Sequence, residues 1–313
     1  MNEKAAKFRE RLAAGRPILL DAAMGTELAR RDVPCRLPLW SAQALIEDAE
    51  MVSVLHRDEV AAGAEVLTTN TFRTHGRSLA KAGLADRARE LTRLAVELAR
   101  EAIGTRERFV AGSLSPLEDC YRPDLAPSDA EMAAEHRDQA NALAQAGVDL
   151  ILAETHNSIR EAAAALAAGR ETGLPVVVSF VTGGNGLLLS GEPIGEAASQ
   201  IAALGPDALG INCVPFDRLA DDLGLLAAGA PGIPLVAYGN LGPPVDEAGT
   251  KFVREVSPQE YGLQVSGWIA QGARLVGGCC GTDAGHTAAL AAMLRASATE
   301  RTSPSETPPS PRG

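Results

Sequence analysis

The chain has 313 residues, 46% hydrophobic but only 4% aromatic, and a formal net charge of −11. That length allows one large domain or two ordinary ones, with a core built from Leu, Val, Ala and Ile. The negative charge argues against nucleic acid or an anionic membrane as the main partner, and no apolar run is long enough to span a bilayer.

Met1 to Arg16 is charged and helical in character and lacks the apolar core of a secretory signal. The first apolar run, Pro17 to Leu20, ends at Asp21. Similar short runs recur: Glu65 to Thr69 into Asn70, Phe109 to Ala111 into Gly112-Ser113, and Asp149 to Ala153 into Glu154-Thr155. Val176 to Phe180 leads into Thr182-Gly183-Gly184, and Ala208 to Ile211 into Asn212-Cys213. Pro234 to Ala237 precedes Tyr238-Gly239-Asn240, and Ala273 to Val276 precedes Gly277-Gly278-Cys279-Cys280-Gly281-Thr282. Each run is too short for a helix and continuous enough for a strand buried on both faces.

Between the runs stand helix signals. Ser128/Glu131, Ser158/Glu161 and Ser257/Glu260 have capping-box spacing, with Pro258 at the first helical position. Leu91, Leu94, Ala95 and Leu98 give the segment Asp86 to Ile103 one apolar face, and Gly147, Gly173 and Gly272 stand where helices should stop. Strand and helix alternating about eight times predict an α/β chain folded as a (β/α)8 TIM barrel, with a doubly wound open sheet as the competitor. The expected organisation is one barrel domain over residues 1–296 and a disordered Pro/Ser-rich tail over 297–313. The stretch 239–256 is a long loop after a late strand, where a barrel commonly builds a substrate cover.

A barrel collects function at the carboxyl ends of its strands. Asp21, Asn70, Ser113, Glu154, Cys213, Asn240 and Cys279-Cys280 all stand just past an apolar run. Adjacent cysteines are poorly placed to bond each other, but between glycines they can offer two thiolates to one metal. With Cys213 they make a three-thiolate zinc site with one position open, the arrangement of a catalytic site. Five cysteines at uneven spacing are not a disulfide framework, so a reducing cytoplasm is the expected location. Cys35 and Cys120 read as small buried apolar residues. Asp21 and Glu154 read either as site residues or as structural carboxylates at helix amino ends. The five histidines lack ligand spacing and read as solvated or satisfied, and the loop Thr182 to Gly186 is a weak phosphate-cradle signal.

Asp21-Ala22-Ala23-Met24-Gly25-Thr26, Thr69-Asn70-Thr71-Phe72, Glu154-Thr155, Ile211-Asn212-Cys213 and the Gly277 to Thr282 stretch together resemble the homocysteine S-methyltransferase family, in order, over about residues 17–296. The resemblance implies a (β/α)8 barrel, zinc held by Cys213, Cys279 and Cys280, L-homocysteine as methyl acceptor and methionine as product. It also implies Glu154, with Asp21, for the ammonium group of the amino acid. The backbone at Ala22, Ala23 and Gly25 would take its carboxylate, and Asn240 would sit at the open metal position. Ala22 replaces the glycine common in the first motif. Tyr238-Gly239-Asn240-Leu241-Gly242-Pro243 departs from the usual Tyr-Pro-Asn-Ser-Gly-Glu on the donor side.

The expected protein is a stand-alone zinc-dependent methyltransferase using S-methylmethionine or S-adenosylmethionine. The alternative is a homocysteine-activating subunit of a corrinoid-linked or betaine-using system. From another class, a phosphate-binding barrel aldolase or isomerase would hold an anion on the 277–282 loop, but that leaves the cysteines unexplained.

Overall fold

The eight Val-, Leu- and Ala-rich runs become the eight strands of one parallel sheet closed on itself. The structure, a computed structural model, describes residues 3–242 and 255–302. The strands are β1 (Ile18–Leu19), β2 (Val66–Thr68), β3 (Phe109–Leu114), β4 (Leu150–His156), β5 (Val176–Phe180), β6 (Ala208–Pro215), β7 (Leu235–Asn240) and β8 (Ala273–Gly278). They pair in sequence order, β8 pairs with β1, and a parallel bridge from Leu20 to Val66 closes the ring. This is the (β/α)8 barrel, not the open sheet.

Alternation along each strand explains why the runs look uniformly apolar. In β4, Leu150 and Leu152 point into the barrel with Ile18, Val66, Val177, Ala208, Val236 and Leu275. Ile151 and Ala153 pack outward against the helix layer. The amino-terminal helix α1 (Glu3–Ala13) brings Phe8 and Leu12 into the inner cluster, with Phe8 edge-on to Phe109 at 5.4 Å. The remaining helices ring the sheet. They include α2 (Met24–Arg30), α3 (Ala44–Glu47), α4 (Ala49–Ala62), α5 (Gly76–Ala80), α6 (Ala88–Ile103), α7 (Asp129–Ala146), α8 (Ile159–Glu171), α9 (Ile194–Ala203), α10 (Leu219–Gly229), α11 (Pro258–Ala270) and α12 (Ala284–Thr302).

The helix signals resolve unequally. Ser128 and Glu131 form a reciprocal capping box on α7. Ser158 caps α8, but the Glu161 side chain turns away to accept the Leu117 N–H and meet His136, so that box is half made. Gly147, Gly173 and Gly272 all adopt positive φ at helix ends. The Thr182 to Gly186 loop is not an anion cradle: Thr182–Gly184 pairs with Leu187–Leu188 as a small hairpin, and Thr182 Oγ1 donates to the Asp222 carboxylate. α12 continues to Thr302, because no breaker precedes Pro304. The rest of the tail, 303–313, and most of the 239–256 loop lie outside the described residues. Among the described residues no helix is long and apolar enough to cross a membrane.

Candidate active site

Five strands run further than their apolar runs, since ladder hydrogen bonds continue where side chains turn polar. Ser113, Glu154, Cys213 and Asn240 therefore sit on β3, β4, β6 and β7 rather than in loops. Asp21, Asn70 and Cys279-Cys280 follow β1, β2 and β8 directly. A cavity of about 320 Å³ opens at this end, and Asp21, Asn70, Ser113, Glu154, Cys213, Cys279 and Cys280 all line it.

Cys213 reaches the mouth through an unusual backbone. It holds φ +54°, and Thr155 on β4 holds φ +61°, in a region that costs non-glycine residues about 1–3 kcal/mol. Both strands change register there, β4 after Ala153 and β6 after Asn212. One side chain ties the two together. Fully buried Asn212 accepts from Thr155 N–H at 2.9 Å and from Ser179 Oγ at 2.7 Å, and its Nδ2 donates to Thr155 Oγ1 at 2.8 Å. Asn240 steadies the same bend from β7: its Nδ2 donates to Cys213 O at 2.9 Å and its Oδ1 accepts from Gly242 N–H. Asn240 thus spends its amide on the backbone of the bend while its side chain also lies within hydrogen-bonding reach of the Cys213 sulfur.

The paired cysteines sit in a turn that glycine makes possible. A Cβ on Gly278 would stand 2.1 Å from Thr282 Oγ1, the hydroxyl that donates to Cys279 O at 2.7 Å. The turn is pinned to β7 by Cys279 N–H to Gly239 O at 2.9 Å and by Leu241 N–H to Cys280 O at 3.0 Å. The outcome is three sulfurs all within 4.8 Å of one another, with Cys213 and Cys280 at 3.7 Å. Tetrahedral zinc with bonds of about 2.3 Å requires sulfurs about 3.8 Å apart, so this donor set fits a thiophilic ion. Among the described residues no other cluster of three metal-ligating groups forms. Hydrogen bonds from Cys279 and Cys280 hold the Cys213 thiol well below its usual range, and the same sharing pushes the other two up. Tyr121, which sequence reasoning missed, brings its hydroxyl to 3.3 Å from Cys213 Sγ.

Beside the sulfurs stand buried carboxylates. Glu154 accepts from Ser113 Oγ on one oxygen and from Tyr238 OH at 3.0 Å on the other, and burial pushes its carboxyl up to about 7. Asp21 accepts from Thr68 N–H at 2.7 Å and Thr68 Oγ1 at 2.8 Å, and burial pushes it well above the ordinary range. Glu59, absent from the sequence reading, accepts from Thr287 Oγ1 and from the Ala22 N–H, and burial lifts it to about 7. The Ala22 amide is therefore already engaged. Ala23 and Gly25 line the cavity at the start of α2, where no side chain caps the helix. Gly25 lets Trp40 pack closely there, since a Cβ would lie 2.5 Å from Trp40 Nε1 and force the indole to shift. Asn70 donates to Ser41 O at 2.8 Å and leaves its Oδ1 without a partner.

Glu59 allows a stability prediction. Its folded pKa near 7 exceeds the 4.5 of the free side chain, so its contribution is present below pH 4.5 and lost as pH rises through 7. Glu59→Gln removes that penalty, and we expect a gain of about 1–2 kcal/mol at pH 8, roughly 2–4 °C per kcal/mol. The gain should vanish at pH 4; equal melting temperatures at pH 8 would contradict it.

The remaining candidates stay outside the centre. All five histidines are buried rather than solvated, and His56 and His156 have no partner on either nitrogen. Burial lowers both to about 4, which keeps them neutral. Cys35 is half-buried under α2–α6, whereas Cys120 is buried and also lines the cavity.

A closed (β/α)8 barrel carries, at its carboxyl-terminal mouth, buried carboxylates and three converging thiols that could hold a metal. Residues 18–294 match the family model described as Homocysteine S-methyltransferase. The chain is 32% identical over 305 residues to Homocysteine S-methyltransferase YbgG of Bacillus subtilis, covering 89% of this chain and 94% of that one. It is 33% identical over 302 residues to the Homocysteine S-methyltransferase of Escherichia coli, covering 88% and 94%. The crystal structure of the homocysteine methyltransferase MmuM from Escherichia coli in its metallated form superposes with a TM-score of 0.75 at 32% identity, covering 88% and 96%. The chain belongs to the homocysteine S-methyltransferase family.

Proposed function

We infer that this protein transfers a methyl group to the sulfur of L-homocysteine and releases methionine. The observation that carries the chemistry is the convergence of Cys213, Cys279 and Cys280 beside the buried carboxylate of Glu154. In this reading the three thiolates hold zinc, and residues 1–296 are the working unit. Zinc would supply deprotonation of the homocysteine thiol at neutral pH, where a free thiol of pKa ~8.5 is mostly protonated.

The chain's own residues bind and orient. Glu154, held by Ser113 and Tyr238, takes the ammonium group together with Asp21, and the approaching cation favours the ionised carboxylates. The backbone at Ala23 and Gly25, at the start of α2 where no side chain caps the helix, would take the carboxylate. Asn212 and Asn240 act one step back, by fixing the bend that aims the Cys213 sulfur. The thiolate lone pair forms the new S–C bond as the donor's bond to methyl breaks, and the donor's onium atom keeps that electron pair and leaves neutral. A reducing compartment such as the cytoplasm suits the free thiols.

The test is methionine formation from homocysteine with S-methylmethionine, S-adenosylmethionine and betaine in turn, with and without a zinc chelator. We expect turnover with at least one donor, lost on chelation and restored by zinc. Chelator-insensitive turnover would remove zinc from the reading.

A further inference from the structure

One cation on the cavity wall lacks the counter-charge that burial normally demands. Arg73, between β2 and α5, is 5% exposed and lines the same cavity as the three cysteines. Its Nη1 donates to Glu118 O at 2.8 Å, its guanidinium lies 5.3 Å from the Phe72 ring centre, and its Nε is buried without a partner. The neighbouring carboxylates are committed elsewhere. Glu118 pairs with Arg77 and Lys81, and Asp119 Oδ1 accepts from the Tyr121 N–H at 2.9 Å. Among the described residues Arg73 makes no ion pair, whereas buried Asp149 meets Arg100 at 2.8 Å and half-buried Arg11 meets Glu65 at 3.0 Å. A buried charge left unpaired is expensive, and a guanidinium is a planar fork shaped for a carboxylate.

We propose that Arg73 binds the carboxylate of the methyl donor, so that the donor is a small onium compound carrying a carboxylate. The inference rests on the methyl-transfer reading above and deepens it. Asp21 and Glu154 supply carboxyls that suit an ammonium, while Arg73 lines the cavity with Asp119, Cys120 and Tyr121, the last of which brings its hydroxyl to Cys213 Sγ. Homocysteine is accommodated by the first group, which leaves Arg73 to the second substrate. A methyl group delivered by a separate corrinoid protein would leave the guanidinium unpaired.

The experiment uses the zinc-loaded full chain, Arg73→Gln and Arg73→Lys, with S-methyl-L-methionine and its carboxamide as donors. We expect the KM for S-methylmethionine to rise roughly 10–100-fold in Arg73→Gln, the scale of hydrogen bonds to a charged group. Arg73→Lys should fall between the two, and the KM for homocysteine and the zinc content should not change. The carboxamide should be a poor donor for the wild type and no worse for Arg73→Gln. The melting temperature of ligand-free Arg73→Gln should equal or exceed that of the wild type, because an unpaired buried charge has been removed; a purely structural arginine predicts the opposite. An unchanged donor KM, an equal loss for carboxylate and carboxamide, or a shift that falls on homocysteine would each overturn the assignment. Methionine formed from S-methylmethionine with an indifferent Arg73→Gln strikes this inference alone, while absence of turnover with every donor strikes the methyl-transfer reading as well.

Discussion

Cys280→Ser is expected to purify with far less than one zinc per chain and to lose at least ~30-fold in kcat/KM for homocysteine at pH 7. The lower bound follows from thiol ionisation alone: with a pKa of ~8.5, only about 3% of a free thiol is thiolate at that pH. Lost positioning adds to it, because the sulfur would no longer be held against its partner. Cys280 stands 3.7 Å from Cys213, and its carbonyl accepts from the Leu241 N–H, a bond that serine preserves. The turn should therefore survive while the donor set does not, so the circular dichroism spectrum should match the wild type. Zinc should raise the melting temperature of the wild type and leave the variant unmoved, since a ligand stabilises only the state that binds it. Cys35→Ser is the control, because Cys35 packs in a separate cluster under α2–α6. A Cys280→Ser protein with full zinc content and full turnover would remove the three-sulfur centre from the chemistry.

The barrel was legible because the physics that builds it is local. A strand buried on both faces needs an unbroken apolar run, and eight such runs punctuated by glycine and capping serines leave few other architectures. Cys213 and the 279–280 pair were legible for a similar reason, since two adjacent thiols between glycines make poor core. What stayed hidden depends on distances the sequence does not carry. Asn212 looked like half of a motif, yet its side chain is spent on Thr155 and Ser179, which strand pairing of β4, β5 and β6 brings beside it. Glu59 sits in the last turn of α4 and meets Ala22 in the first loop and Thr287 on α12, the second of these 228 positions away. Arg73 and Tyr121 carried no spacing signal at all. Arg73 became visible as a buried side chain with an unpartnered Nε and Tyr121 as a half-exposed side chain whose hydroxyl meets a sulfur, an accounting possible only in three dimensions. Asn240 shows the converse: its position at a strand end was readable, but its choice of backbone partners was not.

Glu154→Gln should raise the KM for homocysteine by about 30- to 1,000-fold while leaving bound zinc at the wild-type level. A carboxylate buried beside a cationic ligand is worth about 2–4 kcal/mol when one partner is neutralised, because the other charge is left desolvated and unpaired. The amide keeps the volume and still reaches Ser113 and Tyr238, so the change isolates charge from shape. The pH dependence distinguishes a binding role from a structural one. In the free protein, burial places the Glu154 carboxyl near 7, so about half is protonated at neutral pH. Only the ionised form pairs with an ammonium, so wild-type affinity should fall towards tenfold per unit as pH drops below 7 and level off above it. That acidic limb should vanish in Glu154→Gln, while any limb belonging to the sulfurs persists in both proteins. The stability of the free protein runs the other way. With a folded pKa above the 4.5 of the exposed side chain, the carboxyl favours folding below 4.5 and loses that advantage as pH rises through 7. The variant should therefore be the more stable of the two at pH 8, and the worse binder. A homocysteine KM and an acidic limb near pH 7 that are both unchanged in Glu154→Gln would assign the ammonium to Asp21 alone; the fold thus bears a desolvated carboxylate in the free state that homocysteine's own charge relieves on binding.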